Sequence, residues 1–194
     1  MTRPGEVYGT PGGSLGKQNF TTADRASVGQ RGEEKTARLL ADLATRGATV
    51  LHDLRVPIPG FTANIDHVVV SGHRVTILDS KVWKPGRYWT FAGRTRRGFE
   101  KVPHTDKKLL PTAQTALDRY LKQAGVGNAH VGTGLLLIWP SSKSGRLKLG
   151  LYKPAGAKAL DASAHTTPSR IRAHTGIANA DPKIIATLAP LIIS

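Results

Sequence analysis

Asp79 and Lys81 stand one residue apart at the end of an apolar run, Val75-Thr76-Ile77-Leu78. In a strand, residues two apart point to the same face, so carboxylate and ammonium lie side by side. A second acid, Asp66, interrupts the preceding run between Ile65 and Val68-Val69-Val70, in a strand context that disfavours aspartate. Hydrolysis of a phosphodiester needs a nucleophilic water, neutralisation of charge on the phosphate and help for the leaving oxygen. Divalent metal ions can serve all three, and Mg²⁺ prefers a few carboxylate oxygens while keeping several waters. Two carboxylates sharing a metal, with Lys81 turned to the water or phosphate, match that chemistry. Spacing alone is unselective: the acid-x-lysine pattern occurs at Glu33, Asp79, Asp106 and Asp181. Only Asp79-x-Lys81 closes a β-branched strand with an acid-bearing strand just before it. The competing reading is a surface salt bridge at a strand end, worth about 0–1 kcal/mol.

The elements that must position these groups follow from periodicity. Thr36, Ala37, Leu40 and Leu43 recur at helical spacing, with Ser27 as an early cap and Gly47 as the stop. Glu33 is in register with Ala37 and Leu40, so it lies on the inward stripe, and Glu34 turns to solvent. An inward Glu33 could reach a metal site, or it could simply be a first-turn carboxylate that suits the helix dipole. Strands are expected over Thr49–Leu54, Ala63–Val70 and Arg74–Lys81, the last two joined as a hairpin by Ser71-Gly72-His73. Tyr88–Phe91 is a short fourth strand. Pro111 opens a helix that runs to Gln123 and is closed by Gly125. Leu135–Trp139 reads as a buried strand, Leu147–Tyr152 as an edge strand, and Asp181-Pro182 caps a last helix, KIIATLA. The order predicts an α/β domain with one central mixed β-sheet flanked by helices.

Residues 1–24 hold five glycines and few large apolar groups, which predicts a disordered N-terminal arm. A domain over 25–155 follows, then a C-terminal extension, 156–194, with a short helix. There is no apolar run long enough for a bilayer and no secretory signal pattern. There are no cysteines, which excludes disulfides, thiolate metal sites and cysteine nucleophiles. These features suit a cytoplasmic protein with no membrane partner. The seven histidines show no paired-ligand spacing, and they read as surface groups or groups behind a site. No glycine-rich stretch has P-loop spacing.

The net charge is +15, a field that attracts polyanions, nucleic acid above all. Between Lys81 and Lys108 there are nine basic residues against two acids. Trp83, Tyr88, Trp89, Phe91 and Phe99 are interleaved with them. Cations for phosphates and rings for bases suit a nucleic-acid groove. The alternative is that most rings form the core of a hairpin and only the arginine-rich tip is exposed. Lys84, Arg87, Arg94, Arg96 and Arg97 are the candidate phosphate contacts.

Four linked stretches resemble one family. They are Gly32-Glu33-x-x-Thr36-x-x-Leu39-Leu40, Val50-Leu51-His52-Asp53-Leu54, Asn64-Ile65-Asp66-His67-Val68-Val69-Val70 and Ile77-Leu78-Asp79-Ser80-Lys81-Val82-Trp83. Together, over about residues 27–125, they resemble the nuclease-related domain, a branch of the PD-(D/E)xK nuclease superfamily. The resemblance implies a restriction-endonuclease-like core and a Mg²⁺-dependent nuclease, with Mn²⁺ as a possible substitute and DNA as the expected partner. It implies Asp66 and Asp79 as metal ligands, Lys81 as the catalytic lysine and Glu33 as the helix carboxylate. Pro111-x-x-Gln114 resembles a family helix that starts with proline, which places Gln114 behind the site. The second acid of the family is usually Glu, whereas Asp79 is one methylene shorter. A nucleic-acid-binding module with little or no cleavage, or an assembly factor in DNA transfer or repair, is the alternative of a different class. Oligomeric state, strand preference and pathway stay open.

Overall fold

The computed structural model describes residues 3–13, 23–102 and 109–193, with side chains from residue 27 onward in the second span. It is a mixed α/β structure with two multistranded sheets and four helices. The strands are β1 (Val7–Tyr8), β2 (Thr49–Arg55), β3 (Asn64–Ser71), β4 (Arg74–Trp83), β5 (Gly86–Phe91) and β6 (Arg94–Arg97), then β7 (Glu100–Lys101), β8 (His130–Val131), β9 (Gly134–Pro140), β10 (Leu147–Leu151) and β11 (Ala157–Asp161). The helices are α1 (Ala23–Thr45), α2 (Leu109–Gln123), α3 (Thr167–Thr175) and α4 (Pro182–Leu188), the last followed by a 3-10 turn, Ala189–Leu191.

The main sheet runs β1-β2-β3-β4-β9-β11, with β8 also pairing β4. Pairing is antiparallel from β2 to β4 and parallel from β4 through β9 to β11. β3 and β4 form the expected hairpin, with Ser71 opposite Arg74 and His67 opposite Leu78. Alternation gives this sheet two apolar faces. Val68, Val70, Val75, Ile77, Leu136 and Ile138 pack with Leu110, Ala113, Leu117 and Leu121 of α2. Val50, Val69, Leu78, Leu135 and Leu137 pack with Leu40, Leu43 and Ala44 of α1. A fully buried leucine such as Leu40 is worth about 1.5–3 kcal/mol. Gly32 lets α1 approach β4 closely: a Cβ there would stand 2.8 Å from Cγ2 of Val82.

Several expectations need correction. α1 begins at Ala23, so Ser27 lies inside the helix and its carbonyl accepts from Arg31. A single sheet was expected, but β10-β5-β6-β7 form a separate four-stranded sheet. Strands as short as β6 and β7 carry no readable periodicity, which is why the division was missed. The stretch 156–194 is not an appendage: β11 extends the main sheet, and Ile184, Leu188 and Leu191 enter the α2-side core. The arm expected to be disordered is ordered over its described residues, because β1 pairs in parallel with β2. Its Thr10-Pro11-Gly12-Gly13 stretch closes a turn, with the Gly13 N–H donating to the Thr10 carbonyl at 3.2 Å and Gly12 at a φ of 71°. Proline followed by a left-handed glycine is the type II pattern. Residues 14–22 of that arm lie outside the described residues, as do Lys107 and Lys108.

Candidate functional site

Asp66, Asp79 and Lys81 share the face of β3 and β4 that looks toward α2, as alternation with Val68 and Ile77 requires. Continuing the β3–β4 register by one pair sets Asp66 opposite Asp79. Lys81 Nζ lies 2.8 Å from each carboxylate oxygen of Asp79 and 4.0 Å from Oδ2 of Asp66. It also donates to the Ser80 carbonyl at 3.1 Å. The Ser80 backbone N–H donates to Oδ2 of Asp66 at 2.8 Å. Asp79 is buried, while the Lys81 side chain stays 44% exposed, so the cation marks the open side of the site.

Glu33 comes to the same charges from α1. It is buried, as its helical register predicts, while Glu34 is more exposed. Burial raises its pKa to about 7, and the charges of Asp53 and Asp79 add to that rise. Lys81 and an N–H donated by Gly12 pull the other way. The turn of the N-terminal segment therefore seats directly on this carboxylate. Asp66 is pushed well above the usual carboxylate range, first by burial and then by Asp79 and Glu33, against Lys81 and the Ser80 N–H. For Lys81, partial loss of water favours the neutral amine, but Asp79 and Asp66 outweigh it and hold the ammonium more firmly than usual. The site thus gathers more carboxyl groups than cations, and the raised pKa values of Glu33 and Asp66 are the consequence.

Two groups were missed by sequence reasoning. Asp53 is a buried strand residue with a φ of 53°, on the side of the site next to Glu33. Left-handed backbone in a non-glycine residue costs on the order of 1 kcal/mol and tends to occur at functional positions. The only signal was an aspartate inside an apolar strand. The second group is a buried pair: of the two places expected for the histidines, surface or behind the site, His52 and His67 take the second, on the α1 side of the sheet. Their Nδ1 atoms are 2.8 Å apart, and His67 Nε2 lies 3.2 Å from the Ser80 hydroxyl. That hydroxyl donates to Thr36 at 2.8 Å, and Thr36 also accepts from Trp139 Nε1 at 2.9 Å. Burial drives His52 down to about 4 and His67 well below its usual value, so both rings are neutral near pH 7.

Other expected residues are not brought here. Gln114 donates to the carbonyls of Gly132 at 3.1 Å and Gly156 at 2.7 Å, so it ties the segments before β9 and β11 instead of backing the acids. Lys84, Arg87, Arg94, Arg96 and Arg97 belong to the second sheet or its approach. Arg97 pairs with Glu100, while Arg94 and Arg96 point to the other face. Among the described residues, no three histidine or acidic side chains converge at metal-holding distance. Asp66 and Asp79 are the pair that could hold a divalent cation with water and phosphate completing its shell. No helix is long and apolar enough to cross a membrane, among the described residues.

No curated protein and no solved structure matches the chain. A family model does, that of the nuclease-related domain (NERD), over residues 28–126. That span runs from the first turns of α1 through α2 and takes in every charge just described except the N-terminal turn. Since it covers half of the sequence, the chain belongs to the nuclease-related domain family.

Proposed function

We propose that this protein is a metal-dependent nuclease that hydrolyses phosphodiester bonds in DNA, built on a restriction-endonuclease-like core. Family membership supports a nuclease-related function and an interaction with nucleic acid. The observation that carries the finer reading is the pairing of Asp66 and Asp79 at the single ammonium of Lys81, with Glu33 near enough to feel the charges of Lys81 and Asp79. Carboxylates brought together with little water raise one another's pKa, and a divalent cation is a partner that relieves such a cluster. Asp66 and Asp79 would hold Mg²⁺, or Mn²⁺ in its place, since all donors are oxygens. The ion supplies charge neutralisation at the phosphate and a more acidic bound water. Lys81, on the open side, steadies negative charge that grows on the phosphate during attack. Glu33, held near 7, has an acidity suited to taking a proton at neutral pH. Lys84, Arg87, Arg94 and Arg96 supply the phosphate contacts that fix the strand.

One observation favours a second reading. Lys81 already satisfies both oxygens of Asp79, which is how a nucleic-acid-binding module without cleavage would neutralise the pair. The deciding experiment incubates the pure protein with plasmid, linear and single-stranded DNA in Mg²⁺, Mn²⁺ or EDTA, beside Asp79→Ala. Metal-dependent products from the wild type alone support the nuclease. Undiminished cleavage in excess EDTA, or from Asp79→Ala, sinks the metal mechanism. Binding with no products in any metal leaves the binding module.

A further inference from the structure

The second sheet exposes rings that a folded core would be expected to hide. Phe91 is 74% exposed and Phe99 is 98% exposed. Alternation sorts this sheet into two faces. Tyr88 is buried in the α2-side core cluster, and its neighbours Arg87 and Trp89 point the other way. Register then places Arg96 opposite Trp89 and Arg94 opposite Phe91 on that outward face, with Lys101 opposite Arg96. The Arg96 guanidinium sits 5.8 Å from the Trp89 ring centre and donates to the Phe99 carbonyl at 3.2 Å. This ties the Gly98-Phe99 turn beside Trp89. The only acid of β5–β7 and β10, Glu100, is engaged by Arg97 on the opposite face. The outward face therefore alternates flat rings with cations and, among the described residues, holds no carboxylate.

We infer that this face binds an unpaired nucleic-acid strand, with Phe91, Phe99 and Trp89 stacking on bases and Arg87, Arg94 and Arg96 on phosphates. The inference rests on the nuclease reading only in naming the substrate class: single strands, or duplexes with an unpaired flank. Duplex bases are already stacked on one another and offer these rings nothing, whereas each base of a single strand has a free face worth about 1–3 kcal/mol of stacking. Charge argues against a second copy of this chain, because a net +15 would set like against like. The location fits delivery to the site. β5 starts five residues after Lys81, so the platform begins within about 17 Å of the ammonium even if the link were fully extended.

The test is binding in EDTA, where the strand stays intact, of a fluorescein-labelled mixed-sequence DNA single strand and of the matching duplex. The exposed Phe91→Leu/Phe99→Leu double variant keeps apolar bulk and removes the ring faces. It should weaken single-strand binding about tenfold or more while changing duplex binding less than about twofold. Phe99→Trp should keep the affinity, and its added emission should be quenched by the single strand and not by the duplex. Wild-type single-strand affinity in the double variant overturns the proposal, as does an equal loss on both ligands. A wild type that self-associates while the double variant is monomeric also overturns it, in favour of a protein interface. Because cleavage plays no part in this assay, a protein that prefers single strands yet never cuts would sink the nuclease reading alone. One that cuts normally but ignores the Phe changes would sink the platform alone.

Discussion

The backbone N–H of Ser80 donates to Asp66 at 2.8 Å, and its hydroxyl faces the other side of the sheet, 3.2 Å from His67. The residue between Asp79 and Lys81 thus ties the acid of the neighbouring strand on one face and closes a buried chain on the other. That chain, His52–His67–Ser80–Thr36–Trp139, joins β2, β3 and β4 to α1 and β9. It fixes the spacing of the three strands that carry Asp53, Asp66 and Asp79.

Ser80→Ala should therefore act on stability and leave the chemistry intact. It removes the hydroxyl but keeps the N–H that holds Asp66. His67 Nε2 and Thr36 each lose a buried partner, which costs about 1–3 kcal/mol. The urea midpoint should fall, while cleavage per folded molecule stays near the wild-type value. A variant that is fully stable would mean the chain contributes nothing to the fold. A stable variant with lost activity would move Ser80 into the reacting site.

Much of the site was legible because it is local. The run Ile65 to Val70, the tight turn and the run Val75 to Lys81 specify one hairpin, and parity along it puts Asp66, Asp79 and Lys81 on one face. Helical spacing alone turns Glu33 inward. What was missed depends on tertiary register. His52 and His67 meet only because β2 and β3 pair with those residues opposite each other. Asp53 owes its place to a left-handed backbone that no local pattern announces. The exposure of Phe91 follows from β5 leaving the main sheet for another, which apolar content could not reveal. The split of Arg97 from Arg94 and Arg96 was readable in part, since strand parity separates Arg97 from Arg96 once β6 is known.

Lys81 separates enzyme from binder. If its ammonium steadies developing charge, Lys81→Ala should lose on the order of 10²–10³ in rate, as for loss of one electrostatic stabiliser. Arg should rescue poorly, because its planar fork is larger and spreads the charge. If Lys81 only pairs with Asp79, Ala should change little and Arg should replace it fully. Single-turnover cleavage at saturating DNA decides this, and equal rates in wild type, Ala and Arg would favour the binding module.

Salt dependence should report the outward face of the second sheet. Arg94→Gln/Arg96→Gln should lower the slope of log K against log salt by about 0.7 per contact on a single strand, or about 0.9 on duplex. Arg97→Gln should leave the slope almost unchanged, since Arg97 faces the other way and is paired with Glu100. Equal effects of the two variants would mean that the phosphate path follows charge alone and not this face.

Glu33 should cost stability at neutral pH, and the sign can be worked out. Its folded value, about 7, lies above its ordinary value of 4.5. Between those limits the folded protein keeps a proton that the unfolded chain has lost, so this group makes stability fall as pH rises. Its stabilising share is complete below 4.5 and gone above 7. His52 acts in the opposite sense: lowered from 6.5 to about 4, it contributes stability above 6.5 that is lost on acidification. The two slopes oppose each other between about 4.5 and 6.5 in the wild type. Glu33→Gln removes one and keeps the other, so the difference between variant and wild type isolates Glu33. That difference should change little below pH 4.5, grow in favour of Gln toward pH 7 and level off above. After allowance for solvent screening, its size is on the order of 1 kcal/mol. Urea unfolding in EDTA across this range measures it. A difference that does not vary with pH would mean that Glu33 titrates like an ordinary surface carboxylate, and its role as a proton acceptor would fall with it.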